Sequence, residues 1–541
     1  MRGLSSILSI VLLLVITFIA VGLLFNIFSK QMSRWSKDIK DYFSQYNSSQ
    51  DSLPLQEENN IENNSHFLFP SARSCGYFLM PYTRFDDNQK FPNYTADDVF
   101  KFWLNHYDLI VTNYLTDDYK KAEPGRIVLG GTCATGACCY NYTSRKLYWD
   151  DQLTDLYDWI NKTWGDYSWS SSFANADEAF EDCFIHLIGD ESMNFSFAMP
   201  SESLHITPYD PADPSRSRIP GAWDSSMWLM NIKSPVYISF WKDYYAVENA
   251  NNSADGYFLD VLSWDRARDF STQEDFLKIK EFSSKEEYEK KLGELVDVIN
   301  SSLKVVYPNK ILAANTFNFI DDSGSYPRFT YEDKLDMEIR EGAIIYSIAL
   351  PKFEKELEIT SRLSKQNKIV GMQQMLWFAG SPFCEEGYGK CMDRDKITGL
   401  VAYYLVSADN VYFFSHDEPS VNPYSCWFDA IAYDIGKPVG DYYVFAEGQD
   451  SSNPSVNYKV FARNFTKALV LFKPRPSWGN TNYSSSSATL HNLPGNFRPL
   501  YVNGSLGPET NMISLRNWEG AILINSTEGS TPETNFPTFS L

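Results

Sequence analysis

The chain has 541 residues, of which 43% are hydrophobic and 16% aromatic, so it can bury a large core and has the length of about two to four domains. This composition excludes a disordered protein. The formal net charge of -22 excludes nucleic acid and anionic lipid surfaces as the main partner, because both require a basic face.

The first segment, Leu4 to Phe28, carries no charged residue and is long enough to cross a hydrocarbon layer of roughly 30 Å. It predicts an N-terminal transmembrane helix within residues 1–30. A cleaved signal peptide is the alternative, although its apolar stretch is normally shorter and is followed by a cleavage site of small residues. Residues 31–66 are mostly polar and predict a juxtamembrane stalk or linker.

The residues after this segment favour an extracellular location. Twelve N-x-S/T sequons occur there, at Asn47, Asn63, Asn93, Asn141, Asn161, Asn194, Asn251, Asn300, Asn464, Asn482, Asn503 and Asn525. The basic residues that follow the span favour the opposite orientation, but large domains translocate largely regardless of flanking charge. We therefore expect a single-pass protein of the cell membrane, with the bulk of the chain extracellular and glycosylated.

The eight cysteines, an even number, suit an oxidising compartment. The spacing of Cys384 and Cys391 predicts a disulfide that closes a short loop. A second cross-linked region is suggested by Cys133, Cys138, Cys139 and Cys183. Zinc is the rival interpretation, but no C-x-x-C pair occurs.

Short apolar runs between residues 75 and 417 predict eight β-strands: Cys75–Tyr82, Tyr107–Tyr114, Arg126–Cys133, Gly256–Ser263, Lys310–Phe319, Asp336–Ile345, Lys368–Trp377 and Asn410–Asp417. Helical periodicity separates several of them, at Lys285–Val306, Lys352–Asn367 and Arg394–Ala408. Alternating strands and helices predict an α/β fold, a (β/α)8 TIM barrel over residues 67–445. An insertion at 134–235 follows the third strand. An open doubly wound sheet is the alternative, but no glycine-rich phosphate turn follows the first strand.

The last part, residues 446–541, has a different character. The segments Tyr458–Pro474, Phe497–Leu506 and Asn511–Ile524 alternate apolar and polar residues around Asn-Gly and Glu-Gly turns. This pattern predicts a small antiparallel β-sandwich.

Four motifs, in this order, carry a family resemblance: "DGYFLD" (Asp255–Asp260), "DMEIREG" (Asp336–Gly342), "YDIGKPVGDYY" (Tyr433–Tyr443) and "ARNFTKALVLFKP" (Ala462–Pro474). From about Phe67 to Ile524 the chain resembles glycosyl-hydrolase-like TIM barrels that carry a C-terminal β-domain. The resemblance implies a glycoside hydrolase that pairs an aspartate of the fourth strand with a glutamate of the sixth.

The candidate catalytic residues follow from this pairing and from the barrel. A TIM barrel has its site at the carboxyl ends of the strands, where Asp260 leaves the fourth strand. Glycoside cleavage usually uses two carboxyl groups. We expect Asp260 to be the nucleophile and Glu338 the acid/base of a retaining enzyme, with Asp336 and Glu341 as less favoured neighbours. A helix N-cap, or an ion pair with Arg266 or Arg268, is the structural alternative for Asp260.

Other strand ends combine aromatic faces with groups that form directional hydrogen bonds, as carbohydrate sites do. The expected substrate-binding residues are Tyr82, Arg84, Asp86, Trp264, Gln373, Trp377, His416 and Asp417. No cofactor and no metal is expected. The expected partners are a carbohydrate substrate and, through the N-terminal helix, the membrane.

Two function classes remain open. The first is a membrane-anchored extracellular glycoside hydrolase that acts on a polysaccharide or a cell-surface glycan. The second is a catalytically inactive carbohydrate-binding or cell-envelope protein on the same fold, because a fold does not by itself determine chemistry.

Overall fold

The computed structural model describes residues 75–78, 101, 104–112, 116–122, 124–133, 136–137, 140–141, 146–147, 152–188, 193–196, 203–219, 228–251, 253–260, 278–316, 332–344, 350–375, 388–416, 427–477 and 485–526. The chain divides into two compact units, Met1–Leu68 and Phe69–Leu541, and all described residues belong to the second. The predicted transmembrane helix and stalk lie outside the described residues. Within those ranges, no helix is both apolar enough and long enough to cross a bilayer.

A parallel sheet of eight strands organises the described part of the second unit. Its strands are β1 Cys75–Phe78, β2 Leu109–Thr112, β3 Ile127–Cys133, β4 Gly256–Asp260, β5 Ile311–Asn315, β6 Met337–Ile344, β7 Ile369–Met375 and β8 Val411–His416. Each strand pairs in parallel with the next. Cα atoms of β1 and β8 approach within 8 Å, so the sheet nearly closes into a barrel. The eight predicted strands and their parallel pairing are confirmed.

The helices are α1 Thr116–Ala122, α2 Gln152–Lys162, α3 Ala176–Glu181, α4 Pro235–Phe240, α5 Ala246–Asn249, α6 Lys285–Val306, α7 Leu350–Lys365 and α8 Tyr388–Val406. A π-helical segment, Trp241–Tyr245, joins α4 to α5. Short 3-10 turns occur at Ser168–Ser172, Pro214–Ser217, Glu332–Lys334, Asp429–Ala432 and Ser485–Ser487. Helix α6 has the predicted bounds because the Ser284 side chain accepts a hydrogen bond from the Glu287 amide and caps the first turn.

The residues between β3 and β4 contain α2 to α5 and three short two-stranded antiparallel sheets. These sheets pair Gly136–Ala137 with Trp228–Leu229, Tyr140–Asn141 with Lys146–Leu147, and Met193–Ser196 with Ser203–Ile206. Side chains of this insertion, such as Trp159 and Phe240, share one apolar cluster with Tyr257 of β4 and Leu312 of β5. The insertion therefore covers the outside of the barrel at these two strands.

Cys183 lies in the core of this insertion as a buried free thiol. Its Sγ atom is 3.5 Å from the carbonyl oxygen of Ala179 and 3.9 Å from Oγ of Ser234. The cross-link suggested for Cys183 was wrong, because helix and loop atoms surround the thiol. The predicted Cys384–Cys391 disulfide involves a cysteine outside the described residues.

The barrel strands alternate between an inner and an outer face, as the period of two requires. One apolar cluster fills the interior: Leu109, Val111, Leu129, Phe258, Ala313, Met337, Ile339 and Tyr412. The intervening residues Tyr257, Leu259, Leu312 and Ala314 pack outward with the helices. This alternation identifies which positions of each strand belong to the inner face.

The C-terminal part forms an antiparallel sheet of β9 Pro438–Gln449, β10 Asn457–Phe465, β11 Ala468–Lys473, β12 Thr489–Pro499, β13 Thr510–Leu515 and β14 Glu519–Asn525, in the order β9-β10-β11-β14-β12-β13. A separate antiparallel β-domain is thus confirmed, and its first strand begins at Pro438. The described strands form one sheet, so the two stacked sheets of a sandwich are not seen among them. One face packs on the barrel helices, where Phe353 contacts Phe472, and the other encloses its own cluster around Leu471 and Leu523.

Candidate active site

The first residues of "DGYFLD" have structural roles. The Asp255 carboxylate accepts hydrogen bonds from the Val128 amide of β3, at 2.8 Å, and from Lys120 Nζ of α1, at 2.9 Å. A Cβ atom at Gly256 would overlap the carbonyl oxygen of Ile311, so the neighbouring strand leaves room only for glycine. The first two residues of the motif therefore hold β4 against the neighbouring strands.

Asp260 is the last residue of β4, and it pairs with Cys133 of β3. It lies two positions after Phe258, whose side chain belongs to the interior cluster. Asp260 therefore lies at the carboxyl end of β4, the end at which barrel enzymes form their sites.

Asp336, at the start of "DMEIREG", repeats the role of Asp255 two strands later. Its carboxylate accepts hydrogen bonds from the Leu312 amide of β5, at 2.8 Å, and from Lys304 Nζ of α6, at 2.7 Å. In both motifs the first aspartate forms hydrogen bonds with the preceding strand of the sheet and with the helix that leads into that preceding strand. The carboxylate of Asp336 is therefore hydrogen-bonded at the amino ends of the strands, whereas barrel enzymes form their active sites at the carboxyl ends.

Glu338 is fully buried on the outer face of β6, because its neighbours Met337 and Ile339 belong to the interior cluster. Its Oε2 atom accepts from Thr316 Oγ1 at 3.2 Å and from Arg340 Nη1 at 3.4 Å. Arg340 Nη2 also donates to Glu356 Oε2 of α7 at 2.9 Å. Two buried carboxylates thus share one arginine between the sheet and α7. This is the environment of a structural charge, and the catalytic role of Glu338 stays a prediction.

The inner face changes from apolar to polar towards the carboxyl ends of the strands. Asn315 lies two positions after Ala313 on β5, and Gln373 lies two positions after Gly371 on β7, so both continue the inner face. Each of the two residues is 2% exposed. Gly371 belongs to the inner face, because a Cβ atom there would lie 3.3 Å from Cγ1 of Ile339. Asn315 was not among the sequence candidates, although its alternate position in "ILAAN" was a usable signal.

Three further candidate residues lie at or near the carboxyl ends of their strands: Asp260 ends β4, Glu341 lies within β6 and His416 ends β8. Pairing of β6 with β7 is regular up to Arg340 and shifts between Arg340 and Ile344, so Glu341 directly follows the regular part. The neighbouring Gln374 lies on the outer face, where its Nε2 atom donates to the Asp395 carbonyl of α8.

The remaining predicted site residues lie outside the described residues: Tyr82, Arg84, Asp86, Trp264, Trp377 and Asp417, with Arg266 and Arg268. In the described part, no group of three His, Cys, Asp or Glu side chains is placed to hold a metal ion.

A second charged cluster surrounds His186 in the insertion. His186 is 1% exposed, and its Nδ1 and Nε2 atoms lie 2.7 Å from Glu281 Oε1 and 2.9 Å from Glu181 Oε1. Ionised carboxylates only accept hydrogen bonds, and a neutral imidazole has a single N–H, so both contacts are satisfied only by the protonated ring. Arg218 also donates to both oxygens of Glu181.

The pKa values of this cluster agree with the geometry. Burial by itself lowers the pKa of His186, but the hydrogen bonds with Glu181 and Glu281 outweigh it and raise the pKa above its usual value. Burial by itself raises the pKa of Glu181, but hydrogen bonds from Arg218 and His186 lower it to about 2. Because Glu281 lies just before α6, the cluster joins the insertion to the β4–α6 connection.

No protein-family model and no curated protein matches the chain. Among solved structures it is similar to an α-amylase from Anoxybacillus, at 10% identity and a TM-score of 0.41, over 84% of this chain and 98% of that one. It is also similar to a cyclic α-maltosyl-(1→6)-maltose hydrolase from Arthrobacter globiformis, at 9% identity and a TM-score of 0.38, over 84% and 99%. A third is a GH31 dextranase from Flavobacterium johnsoniae complexed with glucose, at 9% identity and a TM-score of 0.36, over 85% and 52%.

These three structural neighbours are glycoside hydrolases. Because the identities and TM-scores are low, the function of this chain has to be argued from its own residues.

Proposed function

We propose that the protein is a glycoside hydrolase with its active site at the carboxyl edge of the barrel. The observation that carries the proposal is the change of the inner face from apolar residues to buried polar residues, Asn315 and Gln373, at that edge. Burying polar side chains costs free energy unless they are hydrogen-bonded. Barrel enzymes bind their substrates at the same edge.

In this proposal Asp260 is the nucleophile and Glu341 the acid/base. Asp260 ends β4 and Glu341 directly follows the regularly paired part of β6, whereas Glu338 lies on the outer face and is bonded to Arg340 and Thr316. Glu341 would protonate the leaving glycosidic oxygen while Asp260 attacks the anomeric carbon, and would then activate the water that releases the sugar. A retaining enzyme of this kind requires carboxyl groups about 5 to 5.5 Å apart.

The other inner-face groups have roles that suit this chemistry. The amides of Asn315 and Gln373 can both donate to and accept from sugar hydroxyls. Trp264 and Trp377, which follow β4 and β7 in the chain, would supply aromatic faces for sugar rings. The net charge of -22 favours a neutral polysaccharide or cell-surface glycan over a polyanionic one.

The test is hydrolysis of a panel of neutral glycans by the full chain and its variants. D260N and E341Q should each lower kcat by about 10²- to 10⁴-fold with little change in melting temperature. E338Q should mainly lower the melting temperature. If E338Q abolishes turnover at an unchanged melting temperature while E341Q keeps it, Glu338 is the acid/base. Binding to the panel without hydrolysis by the unsubstituted chain would favour the inactive carbohydrate-binding alternative.

The location is part of the proposal. The uncharged segment Leu4–Phe28 supports a membrane anchor, and the sequons support an extracellular barrel. Fractionation tests the anchor: the full chain should require detergent for extraction, whereas a chain that begins at Asn47 should be recovered in the soluble fraction. Recovery of the full chain without detergent would contradict the anchor.

A further inference from the structure

A tight turn in the β-domain presents one of the twelve sequons. Leu500 and Leu506 form an antiparallel bridge, and between them the Gly504 amide donates to the Tyr501 carbonyl at 2.9 Å, while the Tyr501 amide donates to the Ser505 carbonyl at 2.9 Å. Gly504 has a φ of 73°, the left-handed conformation that closes such a turn. The backbone of the sequon Asn503-Gly504-Ser505 is thereby fixed.

The side chain of Asn503 is exposed and oriented by its own sequon. Its Oδ1 atom accepts hydrogen bonds from the Ser505 amide at 3.1 Å and from Ser505 Oγ at 2.7 Å. Its Nδ2 atom has no hydrogen-bond partner among the residues that the structure describes. In a glycosylated asparagine the sugar is attached to Nδ2. In Asn503 this atom donates no hydrogen bond to the residues that the structure describes.

An aromatic ring lies beside this asparagine. Tyr501 is 48% exposed, and its phenol packs against Gly507, where a Cβ atom would be 2.6 Å from the Tyr501 Oη atom. The ring is thus supported by backbone on one side and open to solvent elsewhere. Tyr501 and Asn503 line one groove of about 520 Å³, together with Asp393 and Arg394. Grooves of this size accommodate a small ligand, such as the first sugars of a glycan.

We propose that Asn503 is an N-glycosylation site and that the first sugar of its glycan packs on the ring of Tyr501. The donor is an oligosaccharide carried on a lipid diphosphate. The Asn503 nitrogen forms a bond to the anomeric carbon, and the bond from that carbon to the diphosphate oxygen breaks with its electron pair on the leaving lipid diphosphate. The amide proton goes to a base of the transferase. The apolar face of the sugar ring then covers the exposed half of the tyrosine ring.

Three other described sequons, at Asn161, Asn300 and Asn464, lack this combination. The carboxamide oxygen of Asn300 is buried in helix α6. Asn161 is exposed, but its Nδ2 atom donates to the Tyr157 carbonyl within α2 at 2.9 Å. Asn464 is exposed at the end of β10, but the residue two positions before it is the buried Ala462. Asn464 therefore serves as a matched sequon without an exposed aromatic ring two positions before it; the adjacent Phe465 is buried.

Glycosylation of Asn503 requires that the chain pass through the compartment that contains the transferase. This requirement rests on the extracellular location proposed above. It does not depend on the hydrolase activity. Hydrolysis of the glycan panel, measured on the same samples, separates the two proposals, because glycosylation without hydrolysis would remove only the enzyme proposal.

The first experiment maps glycans on the full chain expressed in secreting animal cells. Peptide N-glycosidase in water labelled with heavy oxygen converts each occupied asparagine into a labelled aspartate, which mass spectrometry locates. Asn503 is expected to carry the label and Asn300 is not. An unlabelled Asn503 would overturn the proposal, whether or not other sequons are labelled.

The second experiment tests the contact with Tyr501. S505A removes the Asn503 sequon, and T466A removes the Asn464 sequon as the matched control. S505A is expected to lower the melting temperature more in the unsubstituted chain than in a Y501A background, whereas the effect of T466A should be equal in both. Y501L, which keeps an apolar side chain at this position, provides the same comparison if Y501A does not fold. Equal effects of S505A in all backgrounds would contradict the contact.

Discussion

Single charged side chains connect neighbouring elements of the barrel. Asp255 and Asp336 each accept one backbone amide from the preceding strand and one lysine from the preceding helix. Arg340 holds Glu338 and Glu356 together between β6 and α7. The carboxylates of Asp255, Asp336 and Glu338 are thus hydrogen-bonded within the fold.

Arg340 provides a direct test of this arrangement. R340M should lower the free energy of unfolding by about 3 to 5 kcal/mol, because two buried carboxylates would lose their common cation. The control is K355M, since Lys355 and Glu358 form an ion pair on the exposed side of α7 that is worth about 1 kcal/mol or less. Chemical denaturation of both variants measures the difference. Equal losses for R340M and K355M would contradict the structural role of the buried group.

At the scale of elements, helix α8 joins the barrel to the β-domain. On one side, Gln374 of β7 donates to the Asp395 carbonyl. On the other side, Asp395 Oδ1 accepts from Trp518 Nε1 at 2.9 Å, and Thr398 Oγ1 accepts from the Gly520 amide at 3.1 Å. The helix is therefore fixed between the two sheets by polar contacts as well as by apolar packing.

Gly399 of α8 allows this close packing. In an exposed helix, alanine in place of glycine is stabilising by roughly 1 kcal/mol. Here a Cβ atom would overlap the side-chain amide of Gln374, so G399A should instead destabilise the protein by about 1 to 3 kcal/mol.

The variant Q374A provides the matched background for G399A. It removes the obstructing amide, and adding G399A to it should cost less than adding G399A to the unsubstituted chain. Denaturation of the two single variants and the double variant gives this coupling energy. Strict additivity would show that the two side chains do not collide.

At the scale of the whole molecule, the His186 cluster links the stability of the insertion to pH. The groups that face His186 come from several segments: Glu181, Asp182, Tyr209, Arg218, Lys280 and Glu281. The raised pKa of His186 means that its contribution to stability is fully present below about 6.5, the unfolded value, and is lost as pH rises through the folded pKa. The lowered pKa of Glu181, about 2, means that its contribution is present above about 4.5 and is lost as pH falls towards 2.

Unfolding measured from acid to alkaline pH therefore has an expected signature. The cluster should contribute most between about pH 4.5 and 6.5, and the difference in stability between the unsubstituted chain and H186Q should shrink as pH rises above that window. H491Q is the control, because burial lowers the pKa of His491 rather than raising it. A difference between the unsubstituted chain and H186Q that is constant across pH would show that folding does not change the pKa of His186, and would contradict the ion-paired ring.

The candidate site was only partly predictable from the sequence. The eight strands were identified correctly, so Asp260 and Gln373 lie on the elements that the sequence predicted, although the strand ends differ by a few residues. The two faces of β6 were not distinguished, because "MEIRE" alternates apolar and charged residues and both faces are buried, one by the barrel interior and one by α7. Asn315 was missed because a single amide at the end of an apolar run looks like the start of a turn.

The sequence by itself determined the eight parallel strands, helix α6 and the presence of an antiparallel β-domain, because local periodicity and turn residues specify elements without reference to distant contacts. Only the tertiary structure decided which side of each strand faces the barrel interior, that Glu338 belongs to an arginine pair and that Cys183 is a free thiol. These properties depend on what another element places against a residue. A strand buried on both faces has no polar side from which its orientation can be read.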